Sequence, residues 1–144
     1  MPPDDFVGFW NLVSAEFEWS NGERADLYGP RASGLLVYGP DGQMSVQIMR
    51  LGRPAFAADD ARRGTPEEIR PALEGYLAYF GTFSVDAAAG AVTHHLRGSL
   101  FPNWVGQDLT RFYAFAGNRL TLRAPPMLTA GRLFTGTLVW ERAA

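Results

Sequence analysis

The stretch AVTHHLRGSLFPNWVGQDLTRFYAFAGNRLTLR, residues 91–123, sets the reading of the whole chain. It holds three β-type runs in succession: Ala91–Leu100, Gln107–Phe115 and Arg119–Arg123. Val, Thr, Phe and Tyr recur in them, residues whose shape suits a pleated surface. Successive side chains in a strand point to opposite faces, so each run has one side for a core and one for solvent. Gly117-Asn118 is a turn signal, and strands joined by short connections pair with their neighbours in sequence.

The same pattern extends in both directions. Upstream, Thr82–Asp86 joins Ala91 across Ala88-Ala89-Gly90, and Gly34–Tyr38 and Gln43–Met49 flank Pro40-Asp41-Gly42. A long first strand, Gly8–Trp19, ends at the hairpin signal Asn21-Gly22. Downstream, Leu133–Arg142 completes the set. The chain therefore reads as all-β, with eight antiparallel strands. One helix interrupts them before the fourth strand. Thr65 is its N-cap, Pro66 its first residue, and Glu68 completes a capping box. Ile69, Leu73, Tyr76, Leu77 and Phe80 continue as an apolar stripe at helical spacing, expected to pack on the strands, and Gly81 stops the helix.

Eight short strands could make a sandwich or a closed barrel. Closure removes every sheet edge and leaves an interior about wide enough for one small ligand. Two end motifs favour it: Gly8-Phe9-Trp10 near the start and Trp140-Glu141-Arg142 near the end. If the outer strands pair, Arg142 can lie over the Trp10 ring as a cation–π plug.

Composition narrows the function. The 144 residues fit one domain, 1–144, and 47% of them are hydrophobic, enough for a core of its own. With a net charge of −2 the chain lacks the positive surplus that nucleic acid or an anionic membrane would require, although all 13 basic residues are Arg. Cysteine is absent, which removes disulfides and thiolate chemistry. The acidic start, Met1-Pro2-Pro3-Asp4-Asp5, has no signal-peptide pattern, and no apolar run approaches the roughly 18 residues of a membrane span. These features set the expectation of a cytoplasmic protein.

Several segments carry a resemblance to a known family: Gly8–Ser14, Leu27–Pro30, Gly34–Tyr38, Pro40–Ser45, Tyr79–Phe83 and Val92–His95. The most specific is Gly98-Ser99-Leu100-Phe101-Pro102-Asn103-Trp104-Val105-Gly106. Across nearly its whole length the chain resembles the lipocalin-like domain family, which implies a calycin-type barrel and says little about activity. Unlike secreted lipocalins, it places its helix before the fourth strand and not after the last, so receptor contacts and secretion do not carry over.

Strand periodicity nominates the cavity residues. Val92, His94 and Leu96 share one face of the fifth strand; Thr93, His95 and Arg97 share the other, which suits solvent. In the sixth strand Arg111 falls among Leu109, Tyr113 and Phe115. A guanidinium there needs a carboxylate, carbonyls or a ligand anion. Glu16 is its partner if Trp10, Leu12, Ser14 and Glu16 point inward. The opposite face (Phe9, Val13, Ala15, Phe17, Trp19) is more apolar, however, and a bulge would switch the parity midway. Tyr28, Tyr79 and Tyr113 offer hydroxyls, and Met44, Val46 and Ile48 apolar wall. Phe101-Pro102-Asn103-Trp104 reads as a connection at one barrel end, with Asn103 and Trp104 as ligand candidates if Trp104 roofs the pocket; packing under the loop is the other reading of Trp104. Adjacent His94 and His95 face opposite ways, so no metal site is expected.

The reading that follows is a barrel binding a small, largely apolar metabolite, with no cofactor; a homodimer is compatible with it. The alternative is a cofactor-independent isomerase, cyclase or hydro-lyase with His94 as catalytic acid–base. A satisfied polar network that anchors strands or orients a bound carbonyl needs the same residues.

Overall fold

The computed structural model describes residues 3–144. Its strands are β1 (Gly8–Trp19), β2 (Arg24–Ala25), β3 (Ala32–Tyr38), β4 (Gln43–Arg50), β5 (Tyr76–Asp86), β6 (Ala91–Ser99), β7 (Asp108–Ala116), β8 (Arg119–Thr129) and β9 (Arg132–Arg142). A helix, α1 (Pro66–Glu74), precedes β5, and a single 3-10 turn (Pro102–Trp104) joins β6 to β7. Every pairing is antiparallel, in the order β1-β3-β4-β5-β6-β7-β8-β9, and β9 returns to β1. Eight strands thus close a barrel. β2 is a two-residue addition beside β1, pairing Ala25 with Phe17, and it makes the strand after the helix the fifth in chain order rather than the fourth.

The closed end is built as the end motifs imply. Trp10 pairs with Arg142 in the β1–β9 register, and the guanidinium lies 4.3 Å above the indole centroid. Trp10 is 1% exposed, and its Nε1 donates to the Phe6 carbonyl at 2.9 Å. Arg142 also donates to the carbonyls of Val7 at 2.7 Å and Asp5 at 2.6 Å. Gly8 makes this possible: its φ is +140°, and a Cβ there would come within 2.8 Å of Arg142 Nη1. Phe6 fills the space beneath, edge-on to Tyr38, Tyr113 and Phe115.

β1 changes parity at a bulge between Leu12 and Ser14. Trp10 and Leu12 point inward before it, Phe17 after it, so both faces proposed from the sequence are right for half the strand each. Glu16 is thereby turned outward.

The helix is shorter than its apolar stripe. Its capping box forms as expected, with Glu68 N–H on Thr65 Oγ1 at 3.3 Å and Thr65 N–H on Glu68 Oε1 at 2.9 Å. Gly75 ends it, and Tyr76, Leu77 and Phe80 belong to β5 instead. Beside the helical spacing of Tyr76, Leu77 and Phe80, the same segment holds a two-residue period in Leu77, Tyr79, Gly81 and Phe83. Seven registered pairs with β4, from Met49–Tyr76 to Gln43–Thr82, decide between the periods. Gly81 is the close point of the next pairing, because a Cβ there would fall on the His95 carbonyl. Ile69 and Leu73, left on the helix, are largely exposed and do not pack into the barrel. No helix among the described residues is long and apolar enough to cross a membrane.

Candidate functional site

The barrel is filled at the Trp10 end and hollow toward the other. The hollow is lined by Phe17 of β1, Leu36 of β3, Val46 and Ile48 of β4, and Leu122 of β8, with Phe134, Leu138 and Trp140 of β9. Leu27 and Tyr28, from the segment after β2, and Trp104, from the 3-10 turn, stand at the opposite end from the plug. The hollow has a volume of about 90 Å³.

Its polar heart is His94. Alternation along β6 sends Val92, His94 and Leu96 inward, and His94 is 2% exposed. Both ring nitrogens are engaged: Nε2 lies 2.6 Å from the Tyr38 hydroxyl and Nδ1 lies 2.7 Å from the Tyr79 hydroxyl. Burial pushes the imidazole pKa down to about 3, and the positive charge of Arg111 and then of His95 adds to the effect. The ring is therefore neutral at ordinary pH. Burial likewise raises both phenols, Tyr38 well above its usual value; the charge on Arg111 opposes the rise in each. His95 faces outward between Ser84 and Asp108, at 2.8 Å from each.

Arg111 lines the hollow too, as its apolar neighbours on β7 imply. Its Nη1 donates to its neighbour's carbonyl, Thr110, at 3.1 Å. Among the described residues no carboxylate pairs with it. Glu16 is not its partner: the bulge in β1 puts Glu16 on the surface, 3.8 Å from Arg24.

The remaining candidates divide by position along the barrel axis. Tyr28, Tyr79 and Trp104 line the hollow, with Trp104 edge-on to Tyr79 at 6.1 Å. Burial and the neighbouring Tyr79 push the Tyr28 phenol up to about 12. Met44 and Tyr113 face inward but lie nearer the plug, in the packed core and against Phe6 respectively, so neither reaches the hollow. Asn103 is exposed on the 3-10 turn, which turns Trp104 inward and leaves its neighbour outside. Tyr38 was missed by sequence reasoning. It ends the run Leu36–Tyr38, where alternation puts both residues inside, but no pattern links it to His94 56 positions away.

Comparison with known proteins agrees with this architecture. A model of the lipocalin-like domain matches residues 7–143. The 4'-hydroxy-3'-methoxypropiophenone carrier protein of Aspergillus oryzae (strain ATCC 42149 / RIB 40) is 33% identical over 106 residues, covering 69% of this chain and 96% of that protein.

Proposed function

The chain belongs to the lipocalin-like domain family, and from that premise we propose that its barrel binds and carries one small, largely apolar molecule. The observation carrying this reading is the hollow itself, walled mostly by aliphatic and aromatic side chains with a few polar groups at one point. Apolar ligand surface moved there from water gains about 25 cal/mol per Å², and a few convergent polar atoms then fix its orientation. The hollow is small, about 90 Å³, which favours a compact ligand on the scale of one substituted ring. The Aspergillus carrier is named for such a compound, a ketone on a substituted aromatic ring. We extend that class, compact aromatic ketones, to this chain.

Catalysis by His94 has less support. Both ring nitrogens are already held by tyrosines, so neither is open to a substrate proton. A pKa of about 3 also makes the imidazole a weak base near neutrality, far from the matched value that general base catalysis favours.

Trp104 and Trp140 stand on the wall of the hollow, so ligand entry should quench tryptophan fluorescence. Titration with 4'-hydroxy-3'-methoxypropiophenone is expected to saturate at one site, and mass spectrometry should recover the compound unchanged after long incubation. Saturation by none of a panel of compact aromatic ketones and hydrocarbons refutes carriage. A transformed product restores the enzyme reading.

A further inference from the structure

The tyrosine–histidine chain has a direction, set by its inner end. Tyr38 is 1% exposed and does not line the hollow. Among the described residues its hydroxyl has one hydrogen-bond partner, His94 Nε2. A buried O–H left without an acceptor is costly, so Tyr38 donates and Nε2 accepts. The neutral ring then carries its proton on Nδ1, and Nδ1–H donates to Tyr79 Oη. Tyr79 accepts that bond and keeps its own O–H proton to give. Unlike Tyr38, it stands on the wall of the hollow.

Arg111, its neighbour on the wall, is also a donor. Arg111 can only donate, and it has no carboxylate partner among the described residues. Among the described residues no carboxylate, side-chain amide or Ser/Thr hydroxyl lines the hollow to receive a proton from a ligand; the Tyr28 hydroxyl, which can give or take one, is the lone amphoteric group beside Tyr79. A ligand with a donor group at this point would face donors, whereas an acceptor oxygen would satisfy them.

We propose that Tyr79 is the specificity-determining donor of the site: held by the Tyr38–His94 pair with its O–H toward the hollow, and with Arg111 beside it, it selects a ligand whose buried polar atom is a carbonyl-type acceptor oxygen. This deepens the carrier reading and rests on it. Tyr79 touches the ligand; Tyr38 and His94 are positioning residues that fix which way its proton points.

The test uses two probes of one shape, acetophenone and α-methylstyrene, in which a methylene replaces the carbonyl oxygen. Each is titrated into the wild-type protein and Tyr79→Phe, so the greater hydrophobicity of the alkene cancels in the comparison. Tyr79→Phe should weaken the ketone about tenfold and leave the alkene within about twofold. Equal changes for both probes, or alkene binding with no ketone binding to wild type, overturn the donor assignment and leave the carrier reading standing. Binding of neither probe to wild type overturns both. A second measurement needs no variant: long-range ¹H–¹⁵N correlation should show His94 protonated on Nδ1 and bare on Nε2. The opposite tautomer reverses the chain and sinks the assignment.

Discussion

Acid should destabilise the barrel through the buried His94, and the size of that contribution follows from its burial. The folded pKa is about 3, against the 6.5 of an ordinary imidazole. Because the folded value is the depressed one, the stabilising contribution is complete above the unfolded pKa and is lost as pH falls toward the folded one. Between about pH 7.5 and 4.5 the unfolded ring takes up a proton that the folded ring refuses, over roughly two units below 6.5. At about 1.4 kcal/mol per unit the loss is about 3 kcal/mol. Urea unfolding followed by tryptophan fluorescence, at both pH values, measures it. The comparison protein is His94→Gln, which can hydrogen-bond to both tyrosines and does not titrate. Carboxylates held below their usual range, such as Asp41 and Glu68, also respond to acid, but they are common to both proteins and cancel. Wild type should lose about 3 kcal/mol more than the variant across this interval. A difference below about 1 kcal/mol would mean that the folded ring protonates almost normally, and the buried, doubly bonded imidazole would be refuted.

Trp10→Ala should cost about 3 kcal/mol or more in urea unfolding, since a fully buried ring, its hydrogen bond to Phe6 and its contact with Arg142 all go; a loss below about 1 kcal/mol contradicts the plug. Gly81→Ala should destabilise by about 2 kcal/mol, because the new methyl meets the His95 backbone, which cannot swing aside as a side chain would; a neutral result contradicts the β5–β6 register. Glu16→Gln should change stability by less than about 0.5 kcal/mol and leave ligand titrations unaltered, as expected for an exposed pair with Arg24; weakened binding would put Glu16 back in the cavity.

Much of the fold was legible because closure leaves marks at both chain ends. Gly8, Trp10 and Arg142 only make sense together once the first and last strands pair, and they do pair in that register. The inward His94 and Arg111 followed from alternation, which is unbroken in β7 and which the irregularity of β6, at Arg97, leaves intact as far as Leu96. Glu16 did not, because a bulge after Leu12 has no signature in residue type and reverses everything beyond it. The helix boundary failed for a related reason. Tyr76–Phe80 satisfies two periods at once, and only the neighbouring strand, absent from a local window, chooses between them. Depth along the barrel axis is invisible to periodicity altogether: Met44 and Tyr113 face inward as read, yet fall short of the hollow. The Tyr38–His94–Tyr79 chain joins three strands, so it emerges only from the closed structure.

The seam between β1 and β9 also bears on how fast the molecule folds. From β3 onward each strand pairs with the next one in the chain, whereas the seam joins Trp10 to Arg142 and Trp19 to Phe134. Contacts between such distant residues slow folding, since chain entropy is lost well before the contacts that compensate for it are made. The rate should therefore be governed by when the ring shuts, and not by how quickly its hairpins zip. The same feature offers a way to change that rate. Ala143 N–H bonds to the Phe9 carbonyl at 2.8 Å, so the start of β1 and the end of β9 already lie side by side. Linking them, and opening the chain at the Ala130-Gly131 turn between β8 and β9, would turn the seam into a hairpin. The β8–β9 pairing would become the distant one in exchange. Nine registered pairs hold either joint, so such a permutant should reach the same barrel with its slow step moved to the new opening.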